Sequence, residues 1–231
     1  MTTALDIIED ALSMLQVLSP DVTLDAGETN SGLRVLNQMI DSFSIDELLV
    51  YTSTKEIFNT VAGLNPHTMG PSGTFNTVKP IAIDAIYINV QGVDYPIMPI
   101  EYDDYASIWL KNLQSTYPFY FYNDMSYPVT NIFLFPVPNA IYPITILSRK
   151  PLPQFDNLTT VLNLPQGYAR MYVANLALEL APRYQVKAGV DVERIASSSL
   201  KQLKALNYVA LQQNTGLRQG LSYKAQFFGG L

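Results

Sequence analysis

Ile81-Ala82-Ile83-Asp84-Ala85-Ile86-Tyr87-Ile88-Asn89-Val90, then Gln91-Gly92, then Val93-Asp94-Tyr95-Pro96-Ile97-Met98-Pro99-Ile100 is the stretch on which the fold turns. Two apolar runs flank a two-residue turn signal, and this reads as a β-hairpin. On its N-terminal side, residues 50–58 alternate loosely and are rich in β-branched and aromatic side chains. Ala62-Gly63-Leu64-Asn65-Pro66 and Gly70-Pro71-Ser72-Gly73 are turn chemistry. On its C-terminal side, residues 101–112 read as a short helix, because Glu101, Asp103 and Asp104 suit the positive end of a helix dipole. Strands are expected over 118–122, 129–135 and 141–147. Tyr127-Pro128 and Pro136-Val137-Pro138-Asn139 separate them, as prolines do at edges and turns.

The chain ends have a different period. Thr3 with Asp6 makes a capping box. Leu5, Ile8, Leu12 and Leu15, with Ile7, Ala11 and Met14, then follow a helical stripe to about Leu18. Ser19-Pro20-Asp21 ends it. Asp25 with Glu28 marks a second start, with Leu33, Leu36, Met39, Ile40 and Phe43 on one face. The two helices read as an αα-hairpin. Residues 152–164 read as a proline-bounded connector. Pro165-Gln166 opens an apolar helix through Met171, Ala174, Leu178 and Ala181 that Pro182 stops. Asp191 caps a last helix with Ile195, Leu203, Leu206 and Ala210 on one face, and residues 214–231 carry four glycines and no helical period.

Helices at both ends of a β-rich insertion can share one bundle, so an α+β fold is expected. It comprises an antiparallel helical bundle formed by the N- and C-terminal helix pairs, a β-rich middle region and an extended C-terminal arm. The boundaries expected are 1–48 for the N-terminal hairpin, 49–164 for the β-rich domain, 165–213 for the C-terminal helices and 214–231 for the arm.

Composition narrows function. The 231 residues include no Cys and one His, His67, which excludes disulfides, thiolate chemistry and His-pair zinc sites. The opening residues have no basic region followed by an apolar run, so no signal peptide is expected. No run of about 18 apolar residues exists to span a membrane. Only 15% of residues are charged, against a usual value near 25%. Meanwhile 15 Tyr, 10 Phe and one Trp are present. Few charges with many tyrosines describe a partner-facing surface, or a well-buried domain with few charges to spare. Residues 1–148 hold 4 basic and 16 acidic side chains, a balance of −12, while residues 149–231 hold 10 and 4, a balance of +6. That polarity suits contact between successive subunits, docking of a basic end on an acidic partner, proximity to nucleic acid, or a basic helix lying on its own acidic half.

Neither a catalytic nor a metal or cofactor site is expected. Glu101, Asp103 and Asp104 are explained by their helix start, and glycoside hydrolysis would need two carboxylates set across a cleft. His67 reads as an exposed or hydrogen-bonding side chain in a turn. Gly70-Pro71-Ser72-Gly73 lacks the Lys-Ser/Thr of a phosphate loop. The aromatics carry more information. In Phe119-Tyr120-Phe121-Tyr122, alternation turns Phe to one face and Tyr to the other. Tyr117, Tyr120, Tyr122 and Tyr127 are therefore candidate tail or subunit contacts. Only Lys111 interleaves with this cluster, which argues against stacked nucleic-acid bases. The apolar side chains at 214–231 release less free energy on burial than ordering its backbone costs, so this arm needs a groove or pairing supplied from elsewhere.

The chain resembles the head-to-tail adaptors of short-tailed bacteriophages, also called tail accessory or packaged-DNA-stabilising proteins. The resemblance covers about residues 3–210. It is carried by the first two helices with Leu48-Leu49-Val50-Tyr51, by Gly70-Pro71-Ser72-Gly73-Thr74-Phe75, and by residues 80–90 with Gly92-Val93-Asp94-Tyr95-Pro96. It continues in Leu134-Phe135-Pro136-Val137-Pro138, Leu164-Pro165-Gln166-Gly167-Tyr168, and Asn175-Leu176-Ala177-Leu178-Glu179-Leu180-Ala181-Pro182. Phe135 stands where relatives often have Trp, and the residues after Asn214 are not matched. The resemblance implies a non-enzymatic virion protein, assembled in the host cytoplasm. It would form a ring of twelve copies beneath the portal protein, extend the DNA channel, and anchor the tail nozzle with its fibres or spikes. Genomic DNA would pass through the lumen without sequence-specific binding. It further implies that the last helix and arm dock on the portal, through Lys201, Lys204, Tyr208, Leu211, Leu217, Arg218, Leu221, Tyr223, Lys224, Phe227 and Phe228. A β-rich adhesin that uses the Tyr face on glycans is the alternative. A peptidoglycan-cleaving enzyme is a third reading, one that would use Glu101 or Asp104.

Overall fold

The computed structural model describes residues 2–18, 24–45, 52–162, 164 and 166–219. The fold is α+β, with helices before and after a large mixed β-sheet. The chain divides into two compact units, Met1–Val50 with Leu152–Leu231, and Tyr51–Pro151.

The first unit begins with β1 (Thr2–Thr3), α1 (Ala4–Met14) and α2 (Ala26–Ile45). Thr3 caps α1 as its sequence requires: the Asp6 N–H donates to its hydroxyl at 3.1 Å, and its own N–H donates to the Asp6 carboxylate at 2.9 Å. These bonds hold the Asp6 carboxyl below its ordinary range. The apolar stripe runs to Leu18, yet α1 stops at Met14. Gln16 takes a left-handed conformation (φ 58°), and the Gln16 and Val17 N–H groups donate back to Ser13 and Leu12 carbonyls at 3.0 and 3.1 Å. That is a Schellman closure with Gln in the place glycine usually takes. Asp25 starts α2 by accepting from the Gly27 N–H at 3.0 Å.

The second unit opens with β2 (Thr52–Asn59), β3 (His67–Gly70), β4 (Phe75–Asn76), β5 (Ala82–Val90) and β6 (Val93–Pro99). There follow α3 (Tyr102–Ser107), β7 (Gln114–Ser115), β8 (Tyr120–Asn123), β9 (Thr130–Phe135), β10 (Val137–Pro138) and β11 (Pro143–Lys150). Eight of these form one mixed sheet in the order β2-β11-β5-β6-β8-β9-β3-β4, and β7 pairs in parallel with β10. The hairpin of residues 81–100 is β5 with β6. Its turn residues Gln91 and Gly92 both have positive φ, 54° and 84°, the geometry that matches strand twist. The inward rows are aliphatic and aromatic: Met69, Phe75, Ile86, Ile88, Ile97, Phe121, Ile132, Leu134, Ile144 and Ile146.

The chain then returns to the first unit through β12 (Val161–Leu162), α4 (Tyr168–Leu180) and α5 (Val190–Gln219). Residues 152–164, grouped by sequence with the strands, belong to the helices. Leu152 and Phe155 are buried in the helical core. Asn37 of α2 clamps Phe155 with two hydrogen bonds, at 2.9 and 3.0 Å, and β12 pairs with β1. Helix α4 is buried on most sides and packs on α1, α2 and α5, so it is the bundle's central helix. It starts at Tyr168 because Gly167 has a left-handed backbone (φ 89°). The inward face of α5 carries Val192, Ala196, Ser199 and Leu203; Ile195 is half-buried, and the side chains of Leu206 and Ala210 lie outside the described residues. Helix α5 continues to Gln219, so residues 214–219 are helical rather than part of an extended arm. Residues 220–231 lie outside the described residues.

Candidate interaction surface

Two strand neighbours place most of the aromatic side chains. Register pairs Tyr120 with Phe135 and Tyr122 with Phe133 across β8 and β9, and Met98 with Tyr120 across β6 and β8. Paired residues share a face of the sheet. Tyr122 stacks on Tyr105 and Phe133 at ring separations of 5.5 and 5.7 Å, with Tyr102 tilted against it at 5.7 Å. Tyr105 is buried, and that burial raises its phenol pKa. The outcome is an aromatic bed under α3, with Met98 and Tyr120 exposed beside it.

Each tyrosine selected from sequence has a distinct place. Tyr120 is exposed on β8, and Tyr122 is half-buried in the bed. Tyr117 is half-buried, stacked on Tyr95 at 4.7 Å, and packs against the sheet core. Tyr127 stands out from the β8–β9 hairpin at 87% exposure, with the Lys79 ammonium 5.8 Å above its ring. The Phe-in, Tyr-out alternation holds for Phe121 but not for Phe119, which is exposed. Phe119 precedes β8 and lies edge-on to Tyr117 instead.

The Tyr127 tip is rigid. Burial pushes the Asp124 carboxyl up. The donors that face it, the Ser126 and Asn131 backbone N–H groups and both their side chains, outweigh this and bring it down to about 2. Those four bonds measure 2.7–3.0 Å. A charged carboxylate that gathers donors from its own loop fixes the hairpin.

Trp109, which the sequence offers only as one member of the aromatic cluster between Tyr95 and Tyr142, is the most exposed of them. Helix α3 was expected to reach 112 but ends at Ser107, because Ile108 turns extended (ψ 115°). Trp109 then points entirely into solvent, at 102% exposure, with Leu110 at 62% and Leu113 at 44%. Ile108-Trp109-Leu110 continues a plausible helical pattern, so no local signal marks it as a projection. The stop comes from Lys111, whose Nζ donates to the Ala106 and Ile108 carbonyls at 3.1 and 3.0 Å.

The docking residues divide. Lys201 is exposed on α5 and Lys204 is half-buried. Tyr208, Leu211, Leu217 and Arg218 fall on the part of α5 whose side chains lie outside the described residues, and Leu221, Tyr223, Lys224, Phe227 and Phe228 lie outside them altogether.

His67 is not in a turn but on β3, fully buried, with its ring stacked on Phe75 at 5.1 Å. Its Nε2 accepts the Val61 N–H at 3.0 Å, and burial lowers its pKa to about 4. It is therefore neutral and walled off from substrate. Glu101, Asp103 and Asp104 are exposed at the start of α3. A groove along α2 is lined by Asn30, Leu33, Arg34, Asn37, Gln38, Asp41 and Gln154 and brings no two carboxylates together. Among the described residues no group of three His, Asp or Glu could hold a metal, and no helix is long and apolar enough to cross a membrane. The sequence matches no protein-family model, and no curated protein is similar enough to count as a relative.

Proposed function

We propose that the chain is a structural connector of a virion, a head-to-tail adaptor of a short-tailed bacteriophage. In this reading twelve copies form a ring between the portal protein and the tail nozzle, and fibres or spikes attach below. The observation that carries it is the set of large apolar side chains exposed on the strand unit: Trp109, Leu110, Tyr120 and Tyr127, with Met98 beside Tyr120. Large aromatic and aliphatic side chains exposed on one unit suit a surface that a partner covers. The motifs behind the resemblance support it too. Leu134-Phe135-Pro136-Val137-Pro138 forms the β9–β10 corner, and residues 175–182 close α4. The −12 balance of residues 1–148 suits an acidic channel that repels DNA phosphates and lets the genome slide.

The test is light scattering on the purified chain alone and with its portal protein. A monomer that becomes a ring only on the portal supports the reading. A chain that never associates with the portal removes it. Exposed Trp109 and Tyr127 also suit stacking on sugar faces, so glycan binding by the isolated chain would favour the adhesin alternative.

A further inference from the structure

The loop that carries Trp109 is fastened at both ends. At one end the Lys111 ammonium fastens the loop to the last carbonyls of α3 and lies 5.5 Å over the buried Tyr105 ring. At the other end the Val137 N–H donates to the Leu113 carbonyl at 2.8 Å, where β7 joins β10. A loop backbone fixed at both ends loses little conformational entropy on docking, and Trp is among the side chains enriched at the energetic centre of interfaces. Its surroundings are acidic: Glu101, Asp103 and Asp104 are all exposed, and Lys111 is spent on α3. The complementary surface must therefore be basic.

The chain itself carries one. After Glu193 its sequence contains no acid, and α5 presents Arg194 and Lys201 to solvent with Ser198 between them. Positions 194, 198 and 201 share one helix face. The Ser197 and Ser198 hydroxyls already donate to the Arg194 and Ile195 carbonyls at 3.1 Å each, which leaves the two cations as the recognition features of that face. The Arg194 contact with Asp191 at 2.9 Å is exposed on both sides, so it yields readily to a better partner. We propose that Trp109 and Leu110 of one copy seat against Arg194 and Lys201 on α5 of a second copy. The indole lies over the cations, and Asp103 and Asp104 face them from the rim. Such a contact joins two different surfaces, so repetition generates a ring or an open chain. The inference rests on the connector reading and assigns its subunit contact; Lys201 then belongs to that contact, and portal docking falls to the residues beyond it.

Trp109 is the sole Trp, so intrinsic fluorescence of the full chain reports the contact directly. Across a concentration series at low salt, emission should move from its water-exposed position to the blue, in step with the scattering mass. Acrylamide quenching should fall with it, and added salt should reverse both. Trp109→Ala should weaken association at least about tenfold with an unchanged circular dichroism spectrum. Arg194→Glu with Lys201→Glu should do the same, and mixing that variant with Asp103→Lys/Asp104→Lys chains should restore association. Assembly in which Trp109 stays water-exposed, or which Trp109→Ala leaves intact, overturns this contact and leaves the connector reading standing. Where the chain alone stays monomeric, the same emission and quenching are read in the ring formed on the portal protein: a blue shift there supports the contact, a Trp109 that stays water-exposed in that ring overturns it, and failure to bind the portal at all overturns the connector reading.

Discussion

His67 shows how burial alone sets a residue's behaviour. Unfolded, its imidazole titrates near 6.5; folded, near 4, because the sheet interior disfavours the charged ring. Both states are neutral above pH 6.5, so His67 costs nothing there. Between pH 6.5 and 4 the unfolded chain binds the proton first, and the strand unit should lose about 3 kcal/mol of stability. Chemical denaturation at a series of pH values checks this; the expected loss is absent from His67→Gln, whose side chain does not titrate. Asp124 contributes in the opposite sense. Its folded carboxyl sits near 2, so its stabilisation is complete above the ordinary carboxylate range and fades as pH drops toward 2. Tyr172 supplies a third case: its hydroxyl is buried in the helical core with no hydrogen-bond partner among the described residues, and burial raises its pKa. Tyr172→Phe should be neutral or stabilising by up to about 2 kcal/mol, seen as an unchanged or higher Tm.

Among elements, the α1–α2 hairpin gives the sharpest test. A Cβ on Gly32 would come within 2.8 Å of Cγ2 of Ile8, a fully buried side chain of α1. Gly32→Ala improves helix propensity by about 1 kcal/mol, yet overpacking costs about 1–3 kcal/mol. A net destabilisation is expected by thermal unfolding, and a stabilised variant would mean that the two helices do not pack through this position. The long elements were legible because each carries its own period: the capping box of α1, the Gln91-Gly92 turn, the apolar stripe of α4. Strands β3 and β4 were not. Residues 67–76 read locally as turns, and only pairing of β3 with β9 and of β4 with β3 makes them strands. The end of α3 was hidden for a related reason, since a Lys111 side chain folding back on two carbonyls leaves no periodic trace.

For the whole molecule, the polarity between residues 1–148 and 149–231 predicts salt-sensitive assembly. On the connector reading, removing residues 214–231, which are the last turns of α5 and the residues after it, should leave a folded chain that no longer joins a portal protein, measured by co-elution of the two proteins. Normal assembly by that truncation would refute a docking role for this end of the chain. The tyrosine candidates show the limit of composition as a guide. Tyr120 and Tyr127 are available to a partner, while Tyr117 and Tyr122 are committed in large part to ring stacks within their own unit.

By itself the sequence determined the α+β class, the order of the long helices around a β-rich middle, the β5–β6 hairpin, and the absence of disulfides. These follow from periodicity, turn residues and composition, all local or additive properties. Tertiary structure decided the rest: that residues 152–164 join the helices, that His67 is buried and neutral, and that Trp109 stands free. Those outcomes depend on which distant carbonyl, ring or strand edge a residue meets, as Phe155 meets Asn37 across the chain. Such meetings are set by packing, and packing is not written in any one stretch of sequence.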